Sequence, residues 1–195
     1  MRRSLRMLTE DVEELKNELS ELKIGDNFKF GNYHGPIEWR VLDKTQDTLF
    51  VISEYALDTK PFDKDGKTND WNICSLKKWL NSEFFNQVFD SEEKSLIENN
   101  AFGKIFCLNI HEATKYFLSN SDRRCKPTQY AKSQGAETQR DFVCWWLRSC
   151  NYCDGSAVHV DFNGDIDNYY NYVLNASGSV RPAYISVRPV MRLRI

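Results

Sequence analysis

Six cysteines, three histidines and one acidic loop are the residues of this chain best suited to catalysis or to holding a metal. Cys150-Asn151-Tyr152-Cys153 has the spacing of a redox or zinc pair, and Cys144 lies close in sequence. A zinc site needs a second pair or a His-x-x-His, and a redox pair needs a helix start to lower a thiol pKa; neither follows here. The spacings of Cys74, Cys107 and Cys125 make no disulfide framework, so reduced thiols in a cytosolic setting are expected. Asp161-Phe162-Asn163-Gly164-Asp165-Ile166-Asp167 puts oxygen ligands at alternate positions, as a calcium loop does. Its glycine stands at the fourth place where a calcium loop has it at the sixth, and Tyr172 occupies the place of the bidentate Glu, so a turn between two strands fits as well. His34 falls in a turn and His111 at a helix start, neither with a Ser or Cys nucleophile in a recognisable setting. No glycine-rich phosphate loop is present. No cofactor and no bound metal is expected.

The alternative to catalysis is binding. From Ser149 to Tyr184 there is no Lys, Glu, Gln, Met or Trp, although these types make up about a quarter of residues 1–148. Asn, Tyr, Asp, Ser and Gly replace them. The candidate contacts are Asn151, Tyr152, Asp154, His159, Asp161, Asn163, Asp165, Asp167, Asn168, Tyr169, Tyr170, Asn171, Tyr172 and Asn175. Tyr supplies rigid contact area at low entropic cost, and Asn, Ser and Gly supply adaptable hydrogen bonds. Turn chemistry alone accounts for the Asn, Asp and Gly, but not for five Tyr between 152 and 184. Trp145, Trp146 and Arg148 are the expected support. Alternation along a strand would send one tryptophan into the core and leave the other as a platform beneath the loops. Arg148 would order loop backbone with its fixed fork of donors.

Elements that could hold such a surface can be read around it. Leu5, Leu8, Val12, Leu15, Leu19 and Leu22 alternate spacings of three and four, the a/d seam of a coiled coil over residues 1–23. Asp11 and Glu18 then fall at g and Lys16 and Lys23 at e, attractive pairs in a parallel dimer or trimer. A single amphipathic helix lying on its own domain has the same pattern. Strands are expected at Asn27–Tyr33 and Ile37–Asp43 around a His34-Gly35-Pro36 turn, and at Thr48–Tyr55. Helices are expected at Ser75–Phe89, begun by a serine cap, at Ser91 through Ile97, and from Ile110 to near Leu118. Ile105–Ile110 reads as a strand, and short strands follow Val143. Helices in the middle and strands at both ends make the chain α+β. A net charge of -2 and a pI near 6.0 give no reason to expect nucleic acid as a partner. No apolar run could span a bilayer, so no membrane insertion is expected. Acidic Glu10-Asp11 and Glu13-Glu14 stand where a signal peptide would be apolar, so the expected location is cytoplasmic or phage-particle associated.

Gly25-Asp26, Phe28-Lys29-Phe30-Gly31-Asn32-Tyr33, Ile37-Glu38-Trp39-Arg40-Val41-Leu42, Leu49–Leu57, Cys74–Asn81 and above all Trp145-Trp146-Leu147-Arg148-Ser149 resemble a bacterial and phage family of unknown function. The resemblance covers about residues 24–195. That family is similar to the C-type-lectin-like fold, which also includes formylglycine-generating enzymes and the variable proteins of diversity-generating retroelements. In those variable proteins adenine-directed mutagenesis alters codons that keep a pyrimidine third base, and such codons cannot encode Lys, Glu, Gln, Met or Trp. Residues 149–184 lack that same set. A formylglycine-type oxidase would need a dedicated pair of copper-binding cysteines, and none can be assigned. The family's closing Val-Arg-Pro element has two candidates, Val180-Arg181-Pro182-Ala183 and Val187-Arg188-Pro189-Val190. The second precedes the alternating Met191, Leu193 and Ile195 and is taken to open the final strand. The Pro-Gly that commonly follows Trp-Trp-Leu-Arg-Ser is replaced by Cys150-Asn151.

The expectation is therefore an α+β, C-type-lectin-like (formylglycine-generating-enzyme-like) domain, residues 24–195, behind a coiled-coil helix, residues 1–23. It would be a non-catalytic binding protein that recognises a protein or glycan through segment 149–184 and forms a homo-oligomer. The competing expectation is a small metal- or redox-dependent enzyme using Cys144, Cys150 and Cys153 or the Asp161–Asp167 loop.

Overall fold

The computed structural model describes residues 2–150, 156–167 and 184–195, with side chains from Glu10 onward apart from Tyr184. Over these residues it is α+β, with two five-stranded sheets, a 20-residue N-terminal helix and several short helices. The first sheet has the order β1-β2-β3-β10-β5: Asn27–Asn32, Pro36–Lys44, Thr48–Ser53, Val190–Arg194 and Ile105–Phe106. The second has the order β4-β9-β6-β7-β8: Asp58–Pro61, Tyr184–Val187, Trp145–Cys150, Ala157–Val160 and Ile166–Asp167.

Sequence pattern explains most of the first sheet. Leu49, Phe50, Val51 and Ile52 in β3 are all buried because β3 is flanked by β2 and β10 and covered on both faces. In β2 a register shift between Val41 and Asp43 lets consecutive Val41 and Leu42 both reach the core, interrupting strict alternation. The Val187-Arg188-Pro189-Val190 element does open the final strand, where Met191 and Leu193 are buried. The other Val-Arg-Pro candidate lies outside the described residues.

Two of the crossings between the sheets, after β3 and before β10, run side by side. Ser53 N–H donates to Pro189 O at 3.0 Å and Leu57 N–H to Val187 O at 2.9 Å. Arg188 bolts them together: its Nε donates to Ser53 O at 3.0 Å and Nη2 to Glu54 O at 3.4 Å. Its guanidinium lies 5.1 Å from the Phe117 ring and 5.2 Å from the Trp145 ring. Burial pushes its pKa down, against the opposing pull of Cys125 and Glu54.

The helix expected from Ser75 runs as α2 (Ser75–Trp79), a π-helical turn (Leu80–Phe84) and α3 (Phe85–Val88). Its cap is Cys74, whose Sγ accepts Lys77 N–H, so Ser75 is the first helical residue and not the cap. In the π turn the Asn81 amide donates to Lys77 O and Ile105 O and accepts from Lys104 N and Ile105 N, tying this helix to β5. β5 is shorter than the expected strand, because Asn109 ends it by capping α5 (Ile110–Tyr116) in a capping box with Glu112. Asp90 and Glu93 cap α4 (Ser91–Leu96) in the same way, and Glu93 also accepts Gly31 N–H from β1 at 2.6 Å.

Helix α1 (Arg2–Glu21) carries the expected apolar stripe. Leu19 is buried in the domain, and Val12, Leu15 and Leu22 pack against its core. Lys44 Nζ donates to Leu22 O at 2.8 Å and also to Ser20 O, fixing the end of the helix to β2. The described half of the stripe therefore meets its own domain, the second of the two readings that the pattern allows. Leu5 and Leu8 lie where side chains are not described.

Candidate binding surface

The segment 149–184 is anchored on the second sheet. β6 pairs antiparallel with β7, Trp145 opposite Val160 and Cys150 opposite Ala157. β7 pairs antiparallel with β8, and β9 lies parallel to β6 with Trp145 opposite Ser186. Residues 151–155 thus leave and rejoin the sheet at the Cys150 end. In β8 Ile166 lies opposite Val160 and Asp167 opposite His159, and β9 begins at Tyr184, which pairs with Pro61 of β4. Of the expected contacts, Asn151, Tyr152, Asp154, Asn168, Tyr169, Tyr170, Asn171, Tyr172 and Asn175 lie outside the described residues.

Both tryptophans are buried. Each face of β6 is covered. On one side Trp145 Nε1 donates to Arg123 O at 3.0 Å and its ring meets Phe117 edge-on at 6.3 Å. On the other, Trp146 Nε1 donates to Lys60 O at 2.8 Å, with Phe62 edge-on at 5.5 Å. His159 is also buried, 4% exposed, with its ring edge-on to Trp146 at 6.3 Å. It is corrected from surface contact to core. Burial pushes its pKa down, with Asp167 and Asp161 opposing, so it stays neutral at physiological pH.

Arg148 donates to loop backbone at Cys107, after β5, and also takes a side-chain partner. Among the described residues its fork grips Glu112 through both carboxylate oxygens, Nη2 to Oε1 at 2.8 Å, and Nη1 also donates to Cys107 O at 2.7 Å. Its guanidinium lies 4.0 Å from the Phe102 ring. It pins α5 to β6. Glu112 was missed at the sequence level, although the Asn109-x-x-Glu112 capping box was there to be read.

Asp161, Asn163 and Asp165 form a turn just after Val160, the β7 residue that pairs with Trp145 at the start of β6. Asp161 Oδ1 accepts the N–H groups of Asn163 at 2.8 Å and Asp165 at 2.9 Å, an Asx turn that commits this oxygen to backbone. The turn docks on α6 (Asn120–Arg123): Arg123 Nε donates to Gly164 O at 2.7 Å, and Asn120 Nδ2 to Asp165. Gly164 has φ +87°, and a Cβ there would lie 1.8 Å from Asn120 O. Gly164→Ala is expected to lower stability by about 2–3 kcal/mol and to speed amide exchange in 120–123 and 161–165 first. Uniform exchange across both sheets would contradict that local docking. Asp167 is half-buried on β8.

The thiols bear on the alternative chemistry. Burial pushes Cys144 up to about 12, reinforced by Asp161, and Cys74 up to about 11. Cys107 and Cys125 are raised by the same cause. These four are poor nucleophiles at neutral pH. Cys150 is half-buried, and Cys153 lies outside the described residues. Among the described residues no group of three or more His, Cys, Asp and Glu is placed to hold a metal ion. No described helix is long and apolar enough to cross a membrane.

No curated protein and no solved structure matches the chain. A family profile does, over residues 46–195, which takes in both sheets from β3 onward and leaves α1, β1 and β2 outside. By that match the chain belongs to the DUF6273 family, a domain of unknown function.

Proposed function

We propose that this protein is a non-catalytic display protein of the C-type-lectin-like kind, whose segment 149–184 carries diversified side chains that bind a protein or glycan. One observation carries this reading: the segment lacks Lys, Glu, Gln, Met and Trp together, the set that pyrimidine-ended codons cannot specify. The architecture supports it. Buried Trp145 and Trp146 on β6 precede the segment, buried Val158, His159 and Val160 on β7 hold it from within, and buried Ile185 and Val187 on β9 follow it, so side chains outside these strands can vary without disturbing the core. Val12, Leu15, Leu19 and Leu22 pack on the domain, so any self-association through residues 1–23, which would add avidity to weak single contacts, would fall to Leu5 and Leu8. The protein would act in the cytoplasm or on a phage particle.

The encoding locus tests the reading. A near-copy of the codons for 149–184, differing only at adenines and lying beside a reverse transcriptase, is expected. Without such a copy the diversification reading fails. At the protein level, the triple variant Tyr169→Ala, Tyr170→Ala, Tyr172→Ala is expected to lose binding to a target selected from a displayed library while keeping its Tm within a few degrees. A large fall in Tm would place these tyrosines in the core and sink the surface assignment.

A further inference from the structure

Helix α1 has one apolar stripe and two surfaces able to cover it. Leu5, Leu8, Val12, Leu15, Leu19 and Leu22 occupy its a and d positions. In the docked form the stripe from Val12 onward packs on the core, and the helix lies against α4. A second helix is then offered only Leu5 and Leu8, one a and one d position. Even about three heptads are marginal in water, so one such pair cannot hold two chains together. A lasting assembly through this helix needs the whole stripe, and the whole stripe is open only when α1 leaves the domain.

The docked contact is incomplete. Leu19 is 3% exposed, but Val12, Leu15 and Leu22 stay only half-buried, apolar area that a facing helix would cover as knobs in holes. The charges flanking a parallel pairing also stand largely clear of the domain. Asp11 and Glu18 at g and Lys23 at e are exposed, and Lys16 at e is half-buried. In a parallel pair Asp11 faces Lys16 of the second copy and Glu18 faces Lys23. The end of the helix is latched from outside. α1 has no basic residue in its last turn, and Lys44 of β2 supplies the cation, Nζ donating to Leu22 O at 2.8 Å and to Ser20 O. The domain is engaged again at Gly25, whose N–H donates to Val41 O at 2.9 Å. Between latch and domain lie only exposed Lys23 and Ile24, so the helix can swing out without disturbing β1.

We infer that the α1 stripe is an interface for a second copy of this chain, paired in parallel, and that docking on the domain holds it closed with Lys44 as the latch. Such pairing rests on the self-association of the proposed function and stands whether or not segment 149–184 is diversified. Copies crowded together release their helices and pair, which turns single contacts into multivalent ones. Sedimentation velocity of the full chain from about 1 μM to about 300 μM tests it, with Lys44 acetylation by an active ester read in parallel by mass spectrometry. The wild-type chain is expected to be monomeric at the low end and to associate as concentration rises, with Lys44 labelling rising in step. Lys44→Met is expected to raise the released fraction about tenfold, and since both copies must undock, to tighten a dimer about a hundredfold. Leu5→Glu with Leu8→Glu should abolish association in either background while amide exchange across both sheets matches wild type. Lys16→Glu with Lys23→Glu should weaken it, and association unchanged there overturns the parallel pairing. No association of Lys44→Met at any concentration overturns the interface, as does association that survives the two leucine replacements. Association with Lys44 labelling unchanged overturns the latch. If Lys44→Met fails to fold, the wild-type series decides alone: association with rising Lys44 labelling supports the device, and none overturns it. Failure here leaves the codon test of segment 149–184 untouched.

Discussion

Trp146→Ala is expected to lower the stability of the fold by about 3–5 kcal/mol. For a chain of this size that amounts to a fall in Tm of roughly ten degrees or more. Two losses add up at this position. The ring is 1% exposed and packs edge-on against Phe62 and His159, so its removal opens a cavity at the centre of the second sheet. Its Nε1–H is the donor to Lys60 O, so truncation also removes a partner from a buried carbonyl. That carbonyl belongs to β4, the edge strand that pairs with β9 where residues 168–183 rejoin the sheet. Trp146→Phe keeps much of the volume and loses only the donor, with an expected cost of about 1–2 kcal/mol. Chemical denaturation of both variants checks the pair. If Trp146→Ala costs less than about 1 kcal/mol, the tryptophan is not part of a packed core.

Arg148→Met is expected to cost about 3 kcal/mol. The guanidinium side chain is 5% exposed, and its loss strands the Glu112 carboxylate, which among the described residues then keeps only its own capping bond to Asn109 N–H. Cys107 O loses a donor, and Phe102, already 40% exposed, loses the guanidinium stacked on it. Arg148→Lys should recover little, because a single ammonium cannot replace a planar fork that reaches two carboxylate oxygens and a carbonyl. Glu112→Gln alone should cost less. The double variant should be more stable than the sum of the two single costs implies, a coupling of about 1–3 kcal/mol in a double-mutant cycle. Additive costs would mean that the pair is screened and that Arg148 acts through packing alone.

Much of the architecture was legible because local chemistry and tertiary packing agree. The apolar run Leu49–Ile52 could only be a strand covered on both faces, and the spacing of Leu76, Leu80, Phe84 and Val88 marks one buried helical face. Asp90 with Glu93 marks a helix start in four residues of sequence. Other elements carried no such signal. Asp58–Pro61 contains aspartate, lysine and proline, and becomes a strand because β9 supplies its partners. The short α6 and α7 (Gln129–Ser133) are set by Ser119 and Thr128 caps that look like ordinary loop residues. The apolar stripe of α1 specifies a buried face without specifying what buries it.

The candidate surface divides in the same way. Its composition belongs to the sequence alone, because the absence of five residue types from 149–184 is independent of any fold. Which side chains in it can be reached was decided by tertiary structure. Alternation assigns residues to two faces of a strand, but it cannot say that α6 and Phe117 cover one face of β6 while Phe62, in the loop after β4, covers the other. That double cover drew Trp145, Trp146 and His159 into the core. The partner of Arg148 is Glu112, 36 residues away, and the anchor of Lys60 is a buried aspartate held by Tyr33 from another sheet. Such pairings depend on where separate elements come to rest, and local sequence holds only one partner of each.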